Sequence, residues 1–459
     1  VSAVLDDVIA TAQLVPLSEA VEINPKLDRS SLNDDLDVSF VPMAAVEALT
    51  GGIDVSTIRK YAEVKKGYTH FRDGDILFAK VTPCMENGKM AIARKLVNGV
   101  GFGSTEFHVL RPRASVDARY VYYFVSSRTF RKEASGHMTG AVGLRRVPSA
   151  YLEEQLIPLP RIEEQREIVA ELEKQFSRLD EAVANLQRVK ANLKRYKASV
   201  LKDAVEGRLV PSEAELARRE GCSFETGTQL LQRILEIRRS EWKGKGKFNQ
   251  PEGPSVTNLA SLPEGWTWVS ATQACDQVVD CHNKTAPYTT SGIPLVRTTN
   301  IRDGRLLLDE VRYVDQPTYE FWSRRCPPEP GDVLFTREAP MGEAGIIPPG
   351  VKLCLGQRTM LMRPSSAITA GFLLSALLSP VVKDLIDRVA VGSGVKHLRV
   401  GDVERLPVPL PPVAEQLRIV AEIERRLSLI RSVEAEVDAN LKRAQALRQA
   451  TLSKAFAPI

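Results

Sequence analysis

The chain has 459 residues and a mass of 50.7 kDa, more than one ordinary hydrophobic core organises, so two to four units are expected. With 43% hydrophobic and 26% charged residues it reads as a globular protein, which excludes collagen-like, mucin-like and largely disordered chains. The formal charge of +5 is modest, no apolar run approaches a membrane span, and the first fifteen residues carry two Asp and no basic stretch, which argues against a secretory leader.

The first segment, 1–155, alternates short β-branched runs (DVSFVPM, GDILFAKV, EFHVLRP) with turn signals such as Gly51-Gly52. A short helical pattern follows at 118–127. Its charge is polarised: residues 1–54 carry 2 basic and 10 acidic groups, residues 55–155 carry 17 and 9. Charge alone leaves open whether the basic part forms one electropositive face or is neutralised by the acidic part.

Segment 156–206 predicts one long helix. Of the 29 Gly and 28 Pro in the chain, none falls between 161 and 206, and Pro158 and Pro160 stand at its start. Leu172, Leu179, Leu186, Leu193 and Val200 recur every seven residues, which is the stripe of a coiled-coil seam. About forty helical residues would make a rod of roughly 60 Å. Residues 207–262 then combine an amphipathic piece (LLQRILEIRRSEW) with KGKGKFNQPEGPS. The latter reads as a flexible basic linker bearing Lys243, Lys245 and Lys247.

From 263 onward the pattern returns. Segment 263–408 again shows short strand-like runs (IPLVRTTNI, GDVLFTRE, TMLMRP) and a helical pattern at 370–378. Segment 409–459 is a second long helix, with Ile423, Ile430, Val437 and Ala444 at heptad spacing and no Gly or Pro from 413 to 457. The repetition is literal. IPLPRIEEQREIVAE (157–171) matches VPLPPVAEQLRIVAE (408–422) at an offset of 251, pairing Gln165 with Gln416. GDILFAKVTP (74–83) matches GDVLFTREAP (331–340) at an offset of 257. The chain is a tandem duplication of a globular α+β unit followed by a helix.

The motifs of resident chemistry are missing. There is no phosphate-binding loop, dinucleotide fingerprint, nucleophile elbow or HExxH pair, and Asn24-Pro25-Lys26-Leu27 only partly echoes the Asn-Pro-Pro-Tyr motif of adenine methyltransferases. Cys275, Cys281 and His282 lack a zinc spacing, so no metal site is expected. Six scattered cysteines read as reduced thiols, consistent with a cytoplasmic protein. These absences disfavour an enzyme whose active site lies in this chain.

Two variable globular domains, each followed by a Pro-Leu-Pro…Glu-Gln-x-x-Ile-Val-Ala-Glu helix, together with Leu262-Pro263-Glu264-Gly265-Trp266 opening the second domain, resemble the specificity (S) subunit of type I restriction-modification enzymes. The resemblance covers essentially the whole chain. One departure is that the first copy lacks a Leu-Pro-x-Gly-Trp opening. The resemblance implies an α+β fold of two target recognition domains, each a mixed, mostly antiparallel curved sheet with helices. They are separated by two long helices paired as an intramolecular antiparallel coiled coil. It also implies a non-catalytic subunit that binds double-stranded DNA at a bipartite, asymmetric target, one half-site per domain. Two DNA methyltransferase subunits, and two ATP-driven restriction subunits, would be its partners, and S-adenosylmethionine, ATP and magnesium would belong to them. A coiled-coil scaffold without DNA readout is the alternative. It explains the helices but not the duplicated domains.

Residue chemistry singles out the segments beside the repeated GD-[Ile/Val]-Leu-Phe strand for DNA contact. In the first copy these are Lys80, Thr82, Asn87 and Lys89, with Arg145 and Arg146 in the Gly-containing loop before the helix. In the second they are Arg297, Thr298, Asn300, Arg337 and Glu338, with Lys396 and His397 before the helix. Asn bridges an adenine edge, Lys and Arg suit guanine or phosphate, and Glu accepts from cytosine or balances Arg337. Gly331 and Asp332 read as turn formers.

Overall fold

A computed structural model describes residues 12–27, 32–141, 143–244, 246–255, 259–282 and 284–456. The chain divides into two compact units, Val1–Arg188 with Val437–Ile459, and Val189–Glu436. Each unit takes a globular α+β part together with a stretch of both long helices.

In the first unit the strand Leu14–Pro16 pairs antiparallel with Leu156–Pro158, so the domain begins and ends side by side at the foot of the helix. One antiparallel four-stranded sheet has the order Val21–Ile23, Phe107–Pro112, Ile76–Ala79, Met90–Ile92. A second has the order Ile58–Lys60, Asp37–Val41, Val100–Gly103, Thr69–Arg72, with its two middle strands parallel. Helices Ala118–Ser126 and Arg128–Gly136 complete the fold, capped by Asp117 and Ser127.

The second unit repeats this plan. Thr267–Ser270 pairs with Pro407–Leu410. An antiparallel sheet runs Cys275–Asp280, Thr359–Pro364, Val333–Thr336, Ala344–Ile346. A smaller one runs Arg312–Val314, Ile293–Val296, Cys354–Leu355, again with one parallel pair. Helices Ala370–Leu378 and Pro380–Val389 stand where the first unit has its own pair.

The duplicated motifs have structural jobs. In the GD motif, Gly74 and Gly331 take φ of 92° and 93°, which a side chain would resist. The Asp that follows caps its turn, accepting from Arg72 N–H in one copy and Glu329 N–H in the other. It also receives a bidentate guanidinium from the neighbouring strand: Arg111 on Asp75 at 2.8 and 2.7 Å, and Arg363 on Asp332 at 2.8 and 2.8 Å. Gly331 and Asp332 are thus turn formers and also half of an ion pair.

The repeated glutamine is a bolt between helix and domain. Gln165 is fully buried, donates to Pro160 O and Ser115 O, and accepts from Asp117 N–H. Gln416 donates to Pro411 O and Ala367 O, and accepts from Thr369 N–H. Every hydrogen-bonding capacity that burial would otherwise strand is used.

The long helices span Ile162–Val205 and Val413–Ala455. In the first unit Arg448 pairs with Asp180 at 2.6 Å and lies over the Phe176 ring, while Phe456 packs on Tyr120 at 5.3 Å. In the second, Tyr196 lies within hydrogen-bonding reach of Arg426, and Val200 and Ala204 share a core with Ile419 and Ile423. The helices therefore run antiparallel. Of the seam positions, Leu172, Val200, Ile423, Ile430 and Val437 are buried, and Leu179, Leu186, Leu193 and Ala444 are half-buried, as a two-helix seam requires.

Candidate nucleic-acid interface

In the first unit the buried strand Ile76–Ala79 emerges at Lys80 into a turn that contains the cis bond Thr82-Pro83. That turn lies against a hairpin, Thr139–Ala141 paired with Leu144–Arg146, more than fifty residues downstream. Thr82 donates to Arg145 O through both its N–H, at 2.9 Å, and its hydroxyl, at 3.3 Å. Val147 N–H donates to Lys80 O at 2.9 Å, and Val81 bridges to Arg146. Four of the expected contact residues, Lys80, Thr82, Arg145 and Arg146, are therefore gathered at one place.

Their charges are unequally spent. Arg146 makes a bidentate pair with Glu106 at 2.8 and 2.7 Å, and this hydrogen bonding holds the Glu106 carboxyl below its usual range. Arg145 sits 3.6 Å from Glu86. Lys80 is half-exposed and has no ion-pair partner among the described residues. Asn87 is exposed at the far side of the turn, whereas Lys89 donates to Met43 O at 3.1 Å. Beneath the hairpin, the buried His108 contacts Val147 O through Nε2 at 2.9 Å and Asn24 through Nδ1 at 3.0 Å. Burial holds its pKa below the ordinary value.

The second unit builds the same junction. Its turn contains the cis bond Ala339-Pro340, Leu398 N–H donates to Arg337 O at 3.0 Å, and Glu338 bridges to His397. Lys80 thus corresponds to Arg337 and Arg146 to His397. Thr298 joins the cluster by donating to Ala339 O at 3.2 Å, which brings the half-buried Arg297 alongside. Lys396 is exposed on the loop before the helix.

Three more of the expected contacts, all in the second unit, are occupied by the fold itself. Asn300 is 5% exposed, donates to Leu307 O and Glu310 O and accepts from Arg297 N–H, so its amide edge is consumed by a turn. Arg337 is 7% exposed and gives one guanidinium nitrogen to Leu398 O at 3.0 Å, bracing the junction from below. Glu338 does balance an arginine, but Arg358 at 3.0 Å rather than Arg337, whose guanidinium is turned inward to Leu398 O. The counter-charges Glu86, Glu106 and Arg358, and the brace from His108 and Asn24, carry no local sequence signal. Only the Gly-containing spacing before Arg145 hinted at the hairpin.

No other chemistry converges. Among the described residues no group of three or more His, Cys, Asp and Glu side chains is placed to hold a metal. Burial pushes the Cys275 thiol up to about 12, and His282 packs against Trp322 with ring centroids 4.9 Å apart. No described helix is long and apolar enough to cross a membrane.

A family model, the type I restriction modification DNA specificity domain, matches residues 11–194 and 319–439. Two Escherichia coli proteins, the type I restriction enzyme EcoAI and EcoEI specificity subunits, are 28% and 27% identical to the chain, each over 89% of it and 76% of their own length. A solved chain from work on complex assembly and conformational transition of the type I R-M system shares 20% identity, with a TM-score of 0.64 over 97% of this chain and 98% of that one. At that identity the likeness concerns the fold.

Proposed function

The chain belongs to the type I restriction-modification DNA specificity family, and on that premise we propose that it is the sequence-reading subunit of a type I restriction-modification complex. Each globular domain reads one half of a bipartite, asymmetric duplex target. The subunit recruits two methyltransferase subunits and, in the restricting form, two ATP-driven restriction subunits. Methyl transfer and cleavage belong to those partners, which carry S-adenosylmethionine, ATP and magnesium. The complex works in the cytoplasm, on DNA.

The observation that supports this reading best is the duplicated junction of turn and hairpin, built on the same backbone bonds in both units but lined with different side chains: Lys80 and Arg146 in one, Glu338 and His397 in the other. A repeated frame with divergent lining suits two different half-sites. The test is co-expression with an adenine-type methyltransferase partner, followed by mapping of methylated bases. Two short defined blocks separated by an undefined spacer are expected. A single continuous motif, or methyl transfer by the purified chain alone, would overturn the proposal.

A further inference from the structure

The second unit carries a loop held at both ends, between the helix Gly227–Ser240 and the strand Thr267–Ser270. At its start Arg238 donates to Thr272 O at 2.9 Å and pairs with Asp276 at 3.1 Å. At its end Ser270 Oγ donates to Glu252 O at 2.7 Å, Ser255 N–H donates to Arg405 O at 3.1 Å, and Arg405 pairs with Glu252 at 3.1 Å. Between these anchors Trp242 meets Phe248 edge to face with centroids 5.8 Å apart. The chain folds so closely over the indole that a Cβ on Gly244 would come within 2.2 Å of it. The stretch expected to be a flexible basic linker thus carries a ring contact between its two bonded ends.

Its positive charge gathers at the helix-side end: Arg239, in the last turn of the helix, and Lys243, Lys245 and Lys247 stand there against one acid, Glu241, while Glu252 and Glu264 farther along are paired with Arg405 and Arg218. Arg239, Lys243 and Lys247 are exposed and have no ion-pair partner among the described residues. Lys245 lies outside the described residues. Like charges crowded on a short loop repel one another, and a polyanion relieves that repulsion. Lysine is a point charge on a flexible stem, which fits phosphate oxygens without reading a base edge. An acidic protein face would also attract the cations. The loop, however, offers little apolar surface beyond the half-exposed Trp242 for such a face to bury, whereas phosphates ask for charge alone.

We infer that this basic loop binds the phosphate backbone of duplex DNA as a sequence-blind contact, adding affinity but no specificity; the inference rests on the DNA-reading function above. The experiment compares the assembled methyltransferase complex carrying wild-type chain with one carrying R239Q/K243Q/K247Q. Binding to a target duplex and to a scrambled duplex is measured between about 50 and 200 mM salt. Loss of three phosphate contacts should make the slope of log K against log salt shallower by about 2 to 3, equally on both duplexes, with the ratio between them unchanged. The charge-preserving K243R/K247R variant should keep the wild-type slope. An unchanged slope in R239Q/K243Q/K247Q overturns the inference, as does loss of co-purifying methyltransferase, which would turn the loop toward a protein. If wild type itself fails to distinguish the duplexes, the DNA-reading function fails instead.

Discussion

The indole N–H of Trp266 donates to Glu415 Oε1 at 3.0 Å, and both side chains are buried. The other carboxylate oxygen accepts from Glu213 N–H at 2.9 Å, and Arg418 pairs with Glu213. One carboxyl thus ties the opening of the second domain and the helix Glu213–Glu220 to the first turn of the second long helix. Glu164, its counterpart at the 251-residue offset, turns back on its own helix and accepts from Arg161 N–H at 2.9 Å. The two copies share a motif whose glutamate does different work in each.

That carboxyl should make stability fall as pH rises. Burial outweighs its two N–H donors and lifts the Glu415 pKa above 4.5, so the folded state holds its proton more tightly than the unfolded chain. Its contribution is complete below about pH 4.3 and declines as pH climbs through the raised value. In Glu415→Gln this site no longer titrates. The difference in unfolding free energy, wild type minus variant, should therefore decrease with rising pH, which urea titrations at several pH values would measure. A difference that stays flat would refute it.

His108 should act in the opposite sense. Its pKa is depressed by burial from the ordinary 6.5, so the unfolded chain takes up the proton first. Stability from this site is present above about pH 6.5 and is lost as pH falls through the lowered value. Because protonation removes the Nδ1 lone pair that accepts from Asn24 beneath the hairpin, the first junction should loosen in mild acid. Hydrogen exchange at the Val147 amide checks this, and His108→Gln should blunt the pH response.

Removing one partner of the Arg363–Asp332 pair should be severe. Asp332 is 2% exposed, and Arg363→Met would leave its carboxylate buried without its guanidinium. A loss of about 3 kcal/mol is expected, measured by denaturant unfolding, with Arg111→Met doing the same to Asp75. A loss below about 1 kcal/mol would place the pair with ordinary surface salt bridges.

Replacing residues 263–408 with another recognition domain of the family should change one half of the methylated target and leave the other intact. Methylome sequencing reads both halves at once. The expectation follows from each unit having its own sheets, core and junction. Simultaneous change of both halves would contradict it.

The duplication, the long helices and the heptad seam were legible in the sequence because they depend on order along the chain: a constant offset, an absence of Gly and Pro, and a period of seven. The positions of the candidate contacts were legible only in part. That Lys80 and Thr82 meet Arg145 and Arg146 across more than sixty residues was decided by the hairpin packing on the turn. The sequence presented Asn300 and Arg337 as equal candidates, yet backbone carbonyls brought in from Leu307, Glu310 and Leu398 occupy them. Whether a polar side chain is offered outward or spent inward depends on which carbonyls and carboxylates the fold delivers beside it, and those neighbours are remote in sequence.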